Sequence, residues 1–138
     1  MVFQRSLRLP EHSFFLFGQR GTGKTTWLKQ VLPNALWFDL LRAETYLPLL
    51  RRPGDIRRAV QALPPGGWVV VDEVQRLPAL LDEIQSLLAE PSNPWKFALS
   101  GSSARKLKRA NANLLAGRAI NRSFFPLTAG ELGWDLDV

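Results

Sequence analysis

The order of apolar segments predicts a three-layer α/β fold, with a mostly parallel five-stranded sheet flanked by helices. Three observations carry that expectation. Short continuous apolar runs, Phe14–Phe17 and Trp68–Val71 above all, have the composition of strands buried on both faces, as parallel sheets require. Between such runs lie segments whose leucines recur at helical spacing. Strand and helix signals alternate along the chain, the pattern of crossover units in a parallel sheet.

Each element follows from local chemistry. Phe14–Phe17 reads as the first strand and Thr25–Leu32 as a helix, with Trp27, Leu28, Val31 and Leu32 on one face and Pro33-Asn34 ending it. Leu36–Leu40 reads as a second strand. Leu41–Leu50 is ambiguous: Ala43, Tyr46, Leu47 and Leu50 have helical spacing, but Pro48 interrupts them. Pro53-Gly54-Asp55 opens a helix with Asp55 as N-cap and Ile56, Ala59, Val60 and Leu63 as its apolar stripe. Trp68–Val71 is the third strand. Leu77, Leu80, Leu81, Ile84, Leu87 and Leu88 then trace a helix that Pro91 ends. Trp95–Leu99 and Ile120–Leu127 complete the strands, with Ser103–Lys108 and Asn113–Leu115 helical between them.

With 138 residues and no internal linker or repeat, the expectation is a single domain spanning 1–138. The chain has no cysteine, which excludes disulfides, thiolate metal sites and cysteine nucleophiles. No apolar run approaches the ~20 residues that span a bilayer, and the N-terminal segment has no signal-peptide core. A cytoplasmic protein without membrane contact is expected. The net charge of +6 suits a polyphosphate ligand and also a nucleic acid.

The chemistry concentrates in Gly18-Gln19-Arg20-Gly21-Thr22-Gly23-Lys24-Thr25, which matches the phosphate-binding pattern G-x-x-x-x-G-K-[ST] and has Thr26 directly after it. Glycines let the backbone curl so that successive N–H groups face phosphate oxygens, and the following helix adds the positive end of its dipole. Lys24 is expected to reach the β- and γ-phosphates, and the Thr25 hydroxyl to bind Mg²⁺. Downstream, Trp68–Val71 ends in Asp72-Glu73: an aspartate to hold the Mg²⁺ shell, and a glutamate to polarise attacking water. No Asn-Lys-x-Asp guanine-reading motif occurs, which favours ATP over GTP. The Asp-Glu pair favours hydrolysis over transfer.

The two motifs with Leu36–Leu40 between them resemble the AAA+ and related additional-strand P-loop ATPases. "DEVQRLPALLDEIQSLL", "FALSGSSARKLKR", "NLLAGRA" and "FFPLTAGEL" together resemble the AAA domain of a large bacterial and archaeal ATPase family whose members carry a C-terminal domain of unknown function. The resemblance implies a P-loop NTPase fold, a sheet order of 5-1-4-3-2, and ATP and Mg²⁺ as ligands. It further implies a γ-phosphate-sensing hydroxyl at Ser100, with Ser102 and Ser103 nearby. Arg118 becomes an arginine candidate for γ-phosphate contact, in a neighbouring subunit of a homo-oligomer or as a structural salt bridge. The helical lid and the C-terminal domain of that family have no counterpart in this sequence. Slow ATP hydrolysis is the leading functional expectation. The alternative is a nucleic-acid-binding or protein-interaction module that uses ATP as a switch with little turnover. Arg105, Lys106, Lys108 and Arg109, and the pairs Arg51-Arg52 and Arg57-Arg58, are either nucleic-acid contacts or solvated helix faces.

Overall fold

The computed structural model describes residues 9–19, 23–102 and 120–123. In chain order they form β1 (Phe14–Phe17), α1 (Lys24–Val31), β2 (Leu36–Asp39), α2 (Ala43–Arg51), α3 (Asp55–Gln61), β3 (Trp68–Asp72), α4 (Ala79–Ala89), β4 (Lys96–Gly101) and β5 (Ile120–Ser123). One turn of 3₁₀ helix, Val74–Arg76, links β3 to the approach of α4. All strand pairings are parallel, and the sheet runs β2-β3-β4-β1-β5, the expected order read from the other edge.

Alternation along the strands builds the three layers. Phe14, Leu16, Val70 and Ala98 face α1, where Trp27, Leu28 and Leu32 cover them. Their chain neighbours Phe15, Phe17, Val69, Val71, Phe97 and Leu99 face the other way, into a larger core closed by α2, α3 and α4. On the α1 side, Val70 and Ala98 leave room for aromatic packing: Phe14 meets Trp27 edge-on at 6.3 Å and Trp68 at 5.7 Å. Trp27 is thus buried and Trp68 half-buried, so packing occupies the two tryptophans expected on core faces.

Two local expectations are corrected. Pro48 does not break the segment after β2; it sits inside α2. Proline there removes one amide donor, but the next residue, Leu49, is buried and Tyr46 packs against the core, so burial outweighs the lost bond. The apolar stripe is correspondingly different, since Leu47 and Leu50 are exposed and Leu49 faces inward. At α3 the N-cap is Gly54, and Asp55 is the first helical residue with no side-chain capping bond. A carboxylate in the first turn still complements the helix dipole. The segments expected to be helical at Ser103–Lys108 and Asn113–Leu115, and the part of the last strand beyond Ser123, lie outside the described residues.

Because every strand is parallel, all carboxyl ends lie at one edge. Asp39 stands beside Asp72, Val71 beside Leu99, and Phe17 between Gly101 and Ser123. Ligands of such sheets bind off that edge.

The packing makes a direct test. Ile84, fully buried between α4 and the sheet, loses about 2–5 kcal/mol of stability on replacement by alanine, whereas Leu47→Ala at an exposed site changes it by less than about 0.5 kcal/mol. Urea unfolding followed by tryptophan fluorescence measures both.

Candidate nucleotide-binding site

The site begins where β1 stops. Gly18 leaves the sheet with its N–H donating to Gly101 O at 3.1 Å, so the loop departs from between β1 and β4. At the start of α1, Gly23 has a φ of 97°, in the left-handed region that side chains disfavour. Gly23 O accepts the first helical bond of α1, from Trp27 N at 2.9 Å. That geometry places Lys24 and Thr25 in the first turn of α1, pointing at the sheet edge.

Lys24 is buried, with 4% exposure. Its Nζ donates to Gly101 O at 2.9 Å and lies 3.4 Å from Glu73 Oε2. The Thr25 hydroxyl donates to Asp72 Oδ2 at 2.9 Å. The other oxygen of the same carboxylate, Oδ1, accepts a short bond from the Ser100 hydroxyl. Ser100 Oγ in turn accepts the Glu73 N–H at 2.8 Å. A single chain of hydrogen bonds therefore runs from α1 through the end of β3 to β4.

Glu73 has the backbone geometry that makes this work. Its φ of 61° and ψ of 51° are left-handed, unique for a non-glycine among the described residues. Such a conformation costs of order 1–3 kcal/mol and persists where surroundings over-determine it. Here the Ser100 bond fixes the amide, and the 3₁₀ turn after it closes through Arg76 N to Glu73 O at 3.0 Å. The reversal brings the carboxylate back over Lys24. Gln75 Nε2 donates to Glu73 Oε1 at 3.1 Å, and the Arg76 guanidinium lies over the Tyr46 ring at 4.8 Å, tying the turn to α2.

Gly23, Lys24, Thr25, Thr26, Leu41, Asp72 and Glu73 line a cleft of about 300 Å³. Within its walls two carboxylates face one ammonium among the described residues, so the site can accept a further cation. Oxygen donors from a hydroxyl and a carboxylate suit a hard divalent ion such as Mg²⁺. The ammonium and the start of α1 suit an anion. An anion accompanied by a hard cation is the ligand that this chemistry describes.

The sequence profile described as AAA domain matches residues 11–133. The chain belongs to the AAA domain family. Holliday junction branch migration complex subunits RuvB from Staphylococcus aureus strains JH9 and Newman are each 33% identical to it over 86 residues, 60% of this chain and 25% of theirs. The chain thus spans about a quarter of the length of those curated relatives. Among solved structures, the P-loop NTPase domain of the Sigma-54 transport activator from E. coli superposes with a TM-score of 0.57 at 16% identity, covering 86% of each chain. The AAA domain is thus a P-loop NTPase in fold.

Most of the expected site residues that the structure describes converge on the cleft of the AAA domain. Gly23, Lys24, Thr25, Thr26, Asp72 and Glu73 line it. Gly18 and Gln19 precede it, while Arg20, Gly21 and Thr22 lie outside the described residues, as do Ser103, Arg118 and the cluster Arg105–Arg109. Ser100 is fully buried at the end of β4, where its hydroxyl donates to Asp72 Oδ1 and accepts the Glu73 N–H. Three participants carried no sequence signal of their own. The Gly101 carbonyl acts through backbone, Leu41 enters the wall through the turn after β2, and Gln75 reaches Glu73 through the left-handed turn.

Removing the brace has a measurable cost. Ser100→Ala strips a hydrogen bond from Asp72 Oδ1 and from the Glu73 amide, and lowers stability by about 1–3 kcal/mol in urea unfolding.

Proposed function

We propose that this AAA domain binds Mg-ATP and hydrolyses it to ADP and phosphate. The observation that carries the reading is the meeting of Lys24, Thr25, Asp72 and Glu73 at the N-terminal turn of α1, in one cleft. Each has chemistry for one part of the reaction. The loop amides and Lys24 bind the β- and γ-phosphates, so a triphosphate competes with Glu73 and Gly101 O for the ammonium. Thr25 and Asp72 would hold the metal ion, which neutralises charge on the phosphate oxygens when bound. Glu73 orients a water and accepts its proton as the water oxygen bonds to the γ-phosphorus; the bond to the bridging β–γ oxygen breaks, and ADP leaves with that electron pair.

Burial supports the role of Glu73. At 4% exposure its carboxylate is shielded from bulk water and held from both sides, a geometry suited to positioning one water rather than many. Ser100 serves by fixing Asp72 and Glu73, and Arg118 remains the arginine candidate for γ-phosphate contact, within a homo-oligomer. We further place the chain as a single AAA core of the family whose members carry a C-terminal domain of unknown function. Among the described residues no helix is long and apolar enough to cross a membrane, and the proposed setting is the cytoplasm.

A second reading follows from the relatives. The RuvB proteins are named as subunits of a Holliday junction branch migration complex, and this chain carries a net charge of +6. A nucleic acid is therefore the macromolecular partner to test. Under this reading DNA stimulates phosphate release, and the stimulation falls steeply as salt rises.

Two substitutions test the primary reading. Lys24→Ala abolishes ATP binding in titration calorimetry with excess magnesium. Glu73→Gln keeps binding and lowers phosphate release by roughly 100-fold or more, in the range for loss of a general base. Equal release rates for Glu73→Gln and the wild type would leave a nucleotide-binding module without hydrolysis.

A further inference from the structure

The glutamate of the proposed hydrolytic site is held by Gln75, which lies outside both the phosphate loop and the Asp72-Glu73 pair. Gln75 Nε2 donates to Glu73 Oε1 at 3.1 Å, while Gln75 Oε1 is buried without a hydrogen-bond partner among the described residues. The assignment of the two amide atoms follows from this contact, since the flipped carboxamide would set oxygen against a carboxylate oxygen. An orphaned acceptor in an interior is unfavourable, and each such case calls for a reason. For packing alone, an apolar side chain of the same length would serve better, because it would leave nothing unsatisfied. The donor is what an apolar side chain lacks. It acts on the one buried carboxylate whose backbone is strained into the left-handed region.

The two restraints on that carboxylate differ in permanence. Lys24 approaches Oε2 at 3.4 Å, a long contact, and its ammonium is the group that phosphates claim. Gln75 sits in the 3₁₀ turn that the Arg76–Tyr46 stack ties to α2, and it grips the other carboxylate oxygen, Oε1. Once Lys24 turns to a triphosphate, Gln75 is the described side chain still gripping the carboxylate. We propose that Gln75 is the positioning residue for Glu73: its Nε2–H pins Oε1 so that Oε2 is presented to the attacking water when Lys24 departs. The inference rests on hydrolysis by Glu73 as proposed above. It adds the residue that sets the orientation of the base.

The test uses the full chain and reads turnover, affinity and the contact itself. Gln75→Met, which keeps length and volume, lowers kcat by roughly 10-fold or more while KM and the calorimetric Kd for Mg-ADP stay within about two-fold, the split expected of a group acting only in the chemical step. Gln75→Leu, close in volume and also without the donor, behaves the same and replaces the first variant if that one folds poorly. Gln75→His, which restores an N–H donor, regains part of the rate. In a Glu73→Gln background Gln75→Met has no further effect on single-turnover hydrolysis, because the residue acts through Glu73. A wild-type kcat in Gln75→Met, in a protein that Glu73→Gln cripples, overturns the inference and leaves the hydrolase reading standing. An equal loss in both backgrounds also overturns it. A contact readout decides independently of turnover: the Gln75 side-chain amide protons exchange slowly in the NMR spectrum of the wild type and shift in Glu73→Ala. Fast exchange and no shift overturn the inference even if turnover is undetectable, a result that by itself would overturn the hydrolase reading instead.

Discussion

The Asp72 carboxylate lies between two hydroxyls that arrive from different parts of the chain. Thr25, in the first turn of α1, takes one oxygen, and Ser100, near the end of β4, takes the other. With both oxygens engaged, the carboxylate has little freedom to rotate, and the end of β3 is locked to the strand and helix beside it. The same Ser100 oxygen receives the Glu73 amide, so the strained residue next in sequence is fixed by the brace that fixes Asp72. Three elements are thereby brought into register by one short network, and the cleft is the space that network leaves open.

Such a concentration of buried charge is a poor way to gain stability. Burying an ammonium and carboxylates costs desolvation that their attraction only partly offsets, and apolar replacements of similar volume would hold the fold about as well. The core is supplied elsewhere, by the two apolar layers above and below the sheet. The charged edge is carried by that core and put to chemical use. The left-handed Glu73 and the orphaned Gln75 oxygen belong to the same pattern: local costs gathered where a ligand is to be gripped and a water aimed.

Most of the scaffold was legible because it depends on local periodicity. Phe14–Phe17 and Trp68–Val71 could only be strands with both faces covered, and the leucines from Leu77 to Leu88 could only stripe one side of a helix. The phosphate loop was legible for a different reason: glycines, lysine and threonine at fixed spacing serve backbone chemistry that few other patterns can perform. Pro48 shows where local reasoning stops. Its cost is local, but the burial of Leu49 in the larger core is a long-range gain that no window of sequence contains.

What the sequence by itself determined was the layered fold, the phosphate loop and the acidic end of β3, since each is written in contiguous residues whose spacing has a physical meaning. The tertiary structure alone decided that Ser100 braces the carboxylates from behind, that the Gly101 carbonyl holds Lys24, and that Gln75 reaches Glu73. Those contacts join residues as far apart in the chain as Lys24 and Gly101, or depend on one left-handed peptide, and neither a distance across the sheet nor a backbone angle is encoded in the pattern of neighbouring side chains.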